Sequence, residues 1–285
     1  VKEGFTQELD NLGISYDLVY RNAQGNPTTA RQIATNFAAR ADMDIVVAIT
    51  TLSAQTVKSA FKDLKVPLVF GAVTDPVEAQ LVESLDEPGG LMTGTTDRPP
   101  LNEQLQLIRD MMVSFKDKEI RLGVIYNAGE INSLKQIQEL EEIAEKYNIK
   151  LVKRTADNAS KVFEAAKSLV GQIDAFYIPL DNVAASATTS LIQVSLDTKI
   201  PAFASDPEGV TQGAVATIGA THENEGRDLA RLVFAIFEGT KPGEIPIRPA
   251  QNQSIYVNSK KAQFFDLKLP EKCSNLDSKK VVFIN

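Results

Sequence analysis

Residues 44–53 read Asp44-Ile-Val-Val-Ala-Ile-Thr-Thr-Leu-Ser53, and residues 174–182 read Asp174-Ala-Phe-Tyr-Ile-Pro-Leu-Asp-Asn182. Each stretch is an acidic residue, a short apolar run and a polar break. A continuous apolar run of this length is the pattern of a parallel strand covered on both faces. The surroundings agree. An amphipathic helix precedes each run, over residues 30–40 and 161–170. A helix also follows each break, with Ala54, Val57, Ala60, Phe61 and Leu64 on one face in the first copy and Val183, Ala187, Leu191 and Val194 in the second. Further out, Lys65-Val-Pro-Leu-Val-Phe70 answers to Lys199-Ile-Pro-Ala-Phe203, and Thr74-Asp75-Pro76 to Ser205-Asp206-Pro207. Upstream, Asp17-Leu-Val-Tyr-Arg21 answers to Lys150-Leu-Val-Lys-Arg154.

The two copies keep an offset of roughly 130 residues, well beyond the 20–50 of a solenoid repeat. The chain is therefore read as a duplicated βα domain. Strands alternating with helices give a parallel sheet with helices on both faces, and right-handed crossovers put the strand C-termini on one edge. The expected fold is α/β: two doubly wound parallel-sheet lobes joined by a multi-strand hinge. The N-terminal lobe is expected over residues 1–117 plus 221–247, and the C-terminal lobe over 118–220 plus 248–285. The crossings are expected near residues 91–99, 217–221 and 246–254. One piece breaks the symmetry. The second copy opens on a strand, Arg121-Leu-Gly-Val-Ile-Tyr126, whose counterpart would lie before Val1. The first strand of the N-terminal lobe is thus expected to be missing from this chain, unless another segment fills its place. Helices are also expected over residues 101–112, 223–238 and 260–265, strands over 214–218 and 254–258, and a polar tail from Pro270 with a strand-like end at residues 281–284.

A length of 285 residues with 43% hydrophobic residues suffices for two cores. A net charge of -7 argues against a nucleic-acid partner, which calls for a basic face. No apolar run approaches the roughly 20 residues of a membrane span, and no export signal is visible. The single cysteine, Cys273, is read as incidental. His222, the single histidine, is far from it in sequence, so no zinc or Cys–His site is suggested. No catalytic residue, metal or cofactor is assigned, because the glycine-rich phosphate-binding patterns are also absent.

In open α/β sheets ligands bind beyond the strand C-termini. The breaks there contain Thr50, Thr51, Ser53, Thr74, Asp75, Asn127, Asn132, Ser133, Asp181, Asn182, Ser205 and Asp206, and these are the candidate ligand-binding residues. Thr50, Thr51 and Ser53 open a helix, as do Asn132 and Ser133; unpaired N–H groups there favour an anion. Asp181 and Asp206 are acceptors suited to an ammonium or hydroxyl. An anion pole and a cation pole together fit a zwitterion such as an amino acid. Each of these residue types is also an ordinary helix cap or turn former, and the chemical reading rests on their co-location in both copies. Phe70, Tyr126, Tyr177 and Phe203 could wall an aromatic side chain, but their strand positions read first as sheet core.

Several blocks carry a resemblance: Tyr20-Arg-Asn-Ala-Gln-Gly25, Phe70-Gly-Ala-Val-Thr-Asp-Pro76, Leu85-Asp-Glu-Pro-Gly-Gly90, Met92-Thr-Gly94, Gly123-Val-Ile-Tyr-Asn127 and Phe203-Ala-Ser-Asp206. In order, over residues 1–268, they resemble ABC-transporter substrate-binding proteins of the tryptophan/tyrosine-binding type. The resemblance implies a type I periplasmic-binding-protein fold and a periplasmic or lipid-anchored location. It implies a receptor that clamps a small ligand, an aromatic amino acid in some members, between two lobes and delivers it to an ABC permease; a monomer is expected. Two rival readings remain: the effector-binding core of a transcriptional regulator with this fold, and a two-lobed α/β enzyme.

Overall fold

The computed structural model describes residues 1–24, 26–251, 253–270 and 279–284; Cys273 and most of the expected polar tail lie outside them. In chain order the first stretch carries α1 (Lys2–Asn11), α2 (Pro27–Ala38), β1 (Val46–Ile49), α3 (Thr51–Ala60), β2 (Leu68–Val73) and β3 (Met92–Thr96). The middle stretch carries α4 (Leu101–Met111), β4 (Ile120–Tyr126), α5 (Ile131–Ala144), β5 (Ile149–Thr155), α6 (Ala159–Leu169), β6 (Ala175–Ile178), α7 (Asn182–Ser186), α8 (Thr188–Thr198), β7 (Ala202–Ala204), α9 (Pro207–Thr211) and β8 (Ala216–Gly219). The last carries α10 (His222–Phe237), β9 (Arg248–Pro249), β10 (Ser254–Asn258), α11 (Ser259–Phe264) and β11 (Val281–Ile284). The chain divides into two units, Val1–Arg98 with His222–Asn252 and Pro99–Thr221 with Gln253–Asn285.

Unit 1 is a parallel sheet in the order β1-β2-β3-β9. Side chains alternate across it, as strand geometry requires. Val46, Ala48, Leu68 and Phe70 enter a core with Ala54, Val57 and Phe61 of the α3 segment and Ala34 of α2. Val47, Ile49 and Val69 face the opposite way, toward Phe5 and Leu9 of α1 and Leu229, Ala230 and Val233 of α10. Gly94 of β3 pairs with Phe70, and a Cβ on it would stand 2.1 Å from the Phe70 carbonyl oxygen and 2.6 Å from its ring. That neighbour is backbone and cannot swing aside. Gly94→Ala is expected to lower stability by about 2 kcal/mol, read as a lower urea midpoint at unchanged slope.

Unit 2 has a parallel sheet in the order β5-β4-β6-β7, the doubly wound arrangement with β4 interior. Ile120, Leu122, Val124, Ala175, Tyr177 and Phe203 enter one core, and Ile125, Phe176, Ile178, Ala202 and Ala204 the other. A second sheet, β11-β10-β8, is attached where the Val215 N–H donates to the Ala202 carbonyl at 2.7 Å. In it β10 runs antiparallel to β8, so unit 2 is not purely parallel.

Several expectations change in detail. Residues 99–117, read with the first lobe, belong to unit 2. The face of α4 formed by Leu101, Leu105, Ile108 and Met111 packs into the core that holds Ile120 and Leu122. Residues 248–252 fall in unit 1, where β9 pairs with β3. The single helix expected after Asp181 is two, α7 and α8, broken at Ala187, whose φ of -111° and ψ of 9° leave the helical region. In unit 1 no described residue pairs with the outer edge of β1, the place that β4 takes beside β6 in unit 2. Residues 14–22, the counterpart of β5, form no strand.

Candidate functional site

The polar residues singled out from the sequence lie at the carboxyl ends of the parallel strands, in two groups. In unit 1, Thr50 follows β1 and precedes the first turn of α3. Its N–H donates to the Gly71 carbonyl at 2.9 Å, and its hydroxyl lies 3.3 Å from that of Ser53. Thr50 has a φ of 82° and a ψ of 155°, a region essentially reserved for glycine that costs about 1–3 kcal/mol. Thr50, Thr51 and Ser53 are half-buried, and their side chains do not occupy the free N–H groups of the α3 N-terminus through a cap bond. Thr74 and Asp75 follow β2. The Asp75 carboxylate accepts from the Val77 and Glu78 N–H groups at 3.2 and 2.9 Å, so it closes the turn after β2.

Unit 2 is more tightly wired. Asp181 is only 2% exposed. Its Oδ2 accepts from the Asn127 N–H and from the Ser133 hydroxyl, both at 2.6 Å, and its Oδ1 accepts from the Ala184 N–H at 2.7 Å. One carboxylate thus ties the end of β4, the first turn of α5 and the start of α7. Glu130, which is not among the twelve candidates, does the same on the outside. It accepts from the side-chain amides of Asn127 at 3.1 Å and Asn182 at 2.6 Å, and from the Asn182 N–H at 3.2 Å. Asn132 donates to the Leu180 carbonyl at 3.1 Å.

Behind this rim a buried polar network joins the candidate Ser205 to Gln104, Gln136 and Tyr177, which are not among the twelve. The Gln104 amide of α4 donates to the carbonyls of Ile218 at 2.7 Å and Ser205 at 2.9 Å. Its oxygen accepts from the Tyr177 hydroxyl at 2.5 Å. The Ser205 hydroxyl donates to the Ile178 carbonyl at 2.8 Å and lies 3.0 Å from the Tyr177 oxygen. Gln136 of α5 donates to Ser205 at 3.1 Å and accepts from the Leu180 N–H at 2.8 Å. Burial raises the Tyr177 phenol above the usual tyrosine range, so it stays a neutral donor. Asp206 caps α9, accepting from the Gly209 N–H at 2.6 Å.

Two kinds of residue emerge from the twelve. Ser133, Asp181 and Ser205 are buried and bonded within unit 2, so they brace the rim. Thr50, Thr51 and Ser53 of unit 1 and Asn127, Asn132, Asn182 and Asp206 of unit 2 are at least partly exposed. Thr74 is buried and Asp75 half-buried. Of the aromatic residues considered, Phe70, Tyr177 and Phe203 are fully buried core, and Tyr126 is partly buried.

A doubly wound pair of units with polar strand ends is shared by many binding proteins, and comparison with known sequences decides among them. The family model described as ABC transporter substrate binding protein matches residues 1–281. The chain belongs to that family. It is a substrate-binding protein of an ABC transporter and not an enzyme, with the type I periplasmic-binding-protein fold. A tyrosine-binding protein of Clostridioides difficile is 35% identical over 270 residues, which is 93% of this chain and 76% of that protein. A domain of an ABC protein from Streptococcus pneumonia, solved in complex with L-Trp, superposes with a TM-score of 0.87 at 26% identity, covering 99% of this chain and 94% of that one. A ligand-free, open substrate binding protein with adhesive properties from Clostridium difficile superposes with a TM-score of 0.74 at 30% identity, covering 99% and 94%. Among the described residues no helix of this substrate-binding protein is long and apolar enough to cross a membrane, and no group of His, Cys, Asp and Glu could hold a metal ion.

Proposed function

We propose that this protein binds an aromatic L-amino acid, tyrosine or tryptophan, outside the cytoplasmic membrane and delivers it as a monomer to the permease of its transporter. The observation that carries the reading is the 35% identity to a tyrosine-binding protein over nearly the whole chain. The L-Trp complex of a structural relative supports it. Each unit, taken by itself, offers groups suited to one end of an amino acid. The uncapped N–H groups of α3, with Thr50, Thr51 and Ser53 beside them, suit a carboxylate. Asp206 suits the ammonium, with Asn127, Asn132 and Asn182 as neutral hydrogen-bonding neighbours. Thr74 and Asp75 complete the unit 1 group. Asp181, Ser133 and Ser205 hold the unit 2 groups in place.

The test is a calorimetric and thermal-shift screen of the twenty amino acids and several sugars. Tyrosine or tryptophan should bind with about micromolar affinity, near -8 kcal/mol. At a hundredfold excess over Kd the ligand should stabilise the fold by about 2.7 kcal/mol. Binding of a sugar alone would overturn the substrate class. Asp206→Asn keeps an oxygen to accept from Gly209 and removes the charge. It should weaken the amino acid at least tenfold, about 1.4 kcal/mol, with little change in melting temperature. Unchanged affinity would remove Asp206 from the contact set.

A further inference from the structure

We propose that Glu225 is a positioning residue for the unit 1 rim: its carboxylate holds the backbone bulge at Ala72, fixes where Thr74 and Asp75 stand, and makes amino-acid affinity depend on pH. The coupling to affinity rests on the reading of the function above; the hold on the bulge does not.

The β2–β3 register runs in step to Phe70↔Gly94 and resumes, shifted, at Val73↔Thr96. Ala72 sits in the gap with a φ of 52°, a left-handed conformation that is unfavourable for a residue with a Cβ. A bulge of this kind needs an outside partner for its displaced N–H. The partner is Glu225 Oε1, a very short contact. Glu225 lies in the first turn of α10 and is 2% exposed. Leu229, one turn on, packs over the neighbouring Gly71, where a Cβ would meet it at 2.6 Å, so the helix is seated on this strand. The far side of the bulge is tied as well, through the Asp97 N–H to the Val73 carbonyl at 3.4 Å. Thr74 and Asp75 come next in the chain. Their position therefore follows from a bond made 153 residues away in sequence.

Two side chains besides Glu225 bear on this bond: Asp97 just after β3 and His222 one turn earlier on α10. Burial, and then the Asp97 carboxylate, push Glu225 up to about 7, against the Ala72 N–H and His222, which favour the charged form. Glu225 thus changes charge near neutrality. As a carboxylate it is a strong acceptor for the Ala72 N–H; as the neutral acid it is a weaker one. Falling pH loosens the bulge, and the rim residues after it lose their fixed position. A free amino acid keeps its own two charges between about pH 6 and 8, so the dependence belongs to the protein.

The experiment is an amide NMR titration from pH 5.5 to 8.5 on the whole chain, paired with tyrosine Kd measured at pH 6 and pH 8, for the wild type, Glu225→Gln and His222→Gln. Glu225→Gln keeps shape and an acceptor oxygen but cannot titrate. In the wild type and in His222→Gln the Ala72, Thr74 and Asp75 amides should shift together with a midpoint near neutrality, and tyrosine should bind roughly fivefold more weakly at pH 6. In Glu225→Gln the shared titration should vanish and the two Kd values should agree within about twofold. If the amides do not titrate, or titrate equally in Glu225→Gln, or lose their titration in His222→Gln, the hold on the bulge is wrong. If they titrate as stated while tyrosine affinity ignores pH, the coupling to binding is wrong. If no amino acid binds at either pH, the substrate reading and the coupling fall together, and the amide arm still decides whether Glu225 holds the bulge.

Discussion

Replacing Asp181 with alanine should lower the free energy of unfolding by about 4 kcal/mol, the largest loss expected from any rim residue. The carboxylate is 2% exposed and accepts three short bonds, from the Asn127 N–H, the Ser133 hydroxyl and the Ala184 N–H. Each bond to a charged acceptor is worth about 1.5–3 kcal/mol, and the donors left behind in a buried place cost more than the bonds themselves. The cost of burying the carboxylate offsets part of that sum, which is why the figure is not larger. Urea unfolding followed by tyrosine fluorescence reads it, since Tyr126, Tyr147, Tyr177 and Tyr256 all lie in unit 2. Two roles give opposite results. A brace loses stability first, and affinity falls only because Asn127 and Ser133 are no longer fixed. A ligand contact would lose affinity at nearly full stability, and that outcome would return Asp181 to the contact set.

The second large effect is expected at Gln104. Replacement with leucine removes an amide that donates to the Ser205 and Ile218 carbonyls and accepts from Tyr177. Leucine is close in size, so the loss is polar rather than steric. About 3 kcal/mol is expected, because buried acceptors and one phenol lose their partner together. Tyr177→Phe alone should cost about 2 kcal/mol by removing the hydroxyl. The double variant should cost less than the sum by about 1–2 kcal/mol, since one bond is shared. Strict additivity in a double-mutant cycle would show that Gln104 and Tyr177 do not act as one network.

Asp181 and Gln104 are two residues whose partners a local stretch of sequence does not disclose. Asp181 stands at a strand end, and its carboxylate accepts from the Asn127 N–H, the Ser133 hydroxyl and the Ala184 N–H. An aspartate after a buried strand is equally a helix cap and an ammonium partner, and the local sequence is identical in both cases. Gln104 is not among the twelve candidates. It lies on the apolar face of α4, where the pattern registers Leu101, Leu105, Ile108 and Met112. Glu225 was missed for a similar reason: an acidic residue in the first turn of a helix ordinarily complements the dipole at the surface. Glu130 sits just ahead of α5 and reads as a plain surface glutamate.

The division of the chain shows the same boundary. Apart from residues 14–22, strand and helix runs were legible, down to the strand at residues 281–284, because burial on both faces and burial on one stripe leave different periodicities in a short window. The place of α4 was not, since its apolar stripe is equally suited to either core. The break at Ala187 was not, because alanine and threonine neither start nor stop a helix by themselves.

By itself the sequence determined the α/β architecture, the duplication and the ends of the strands at which polar residues collect. Those are properties of local composition and of a repeat that can be laid over itself. Only the tertiary structure decided which of those polar residues are buried and bonded within their unit and which stay partly exposed. That outcome depends on partners such as Asp181 for Asn127, Gln104 for Tyr177 and Glu225 for Ala72. They are distant along the chain, and burial makes each bond count only once folding has brought the pair together.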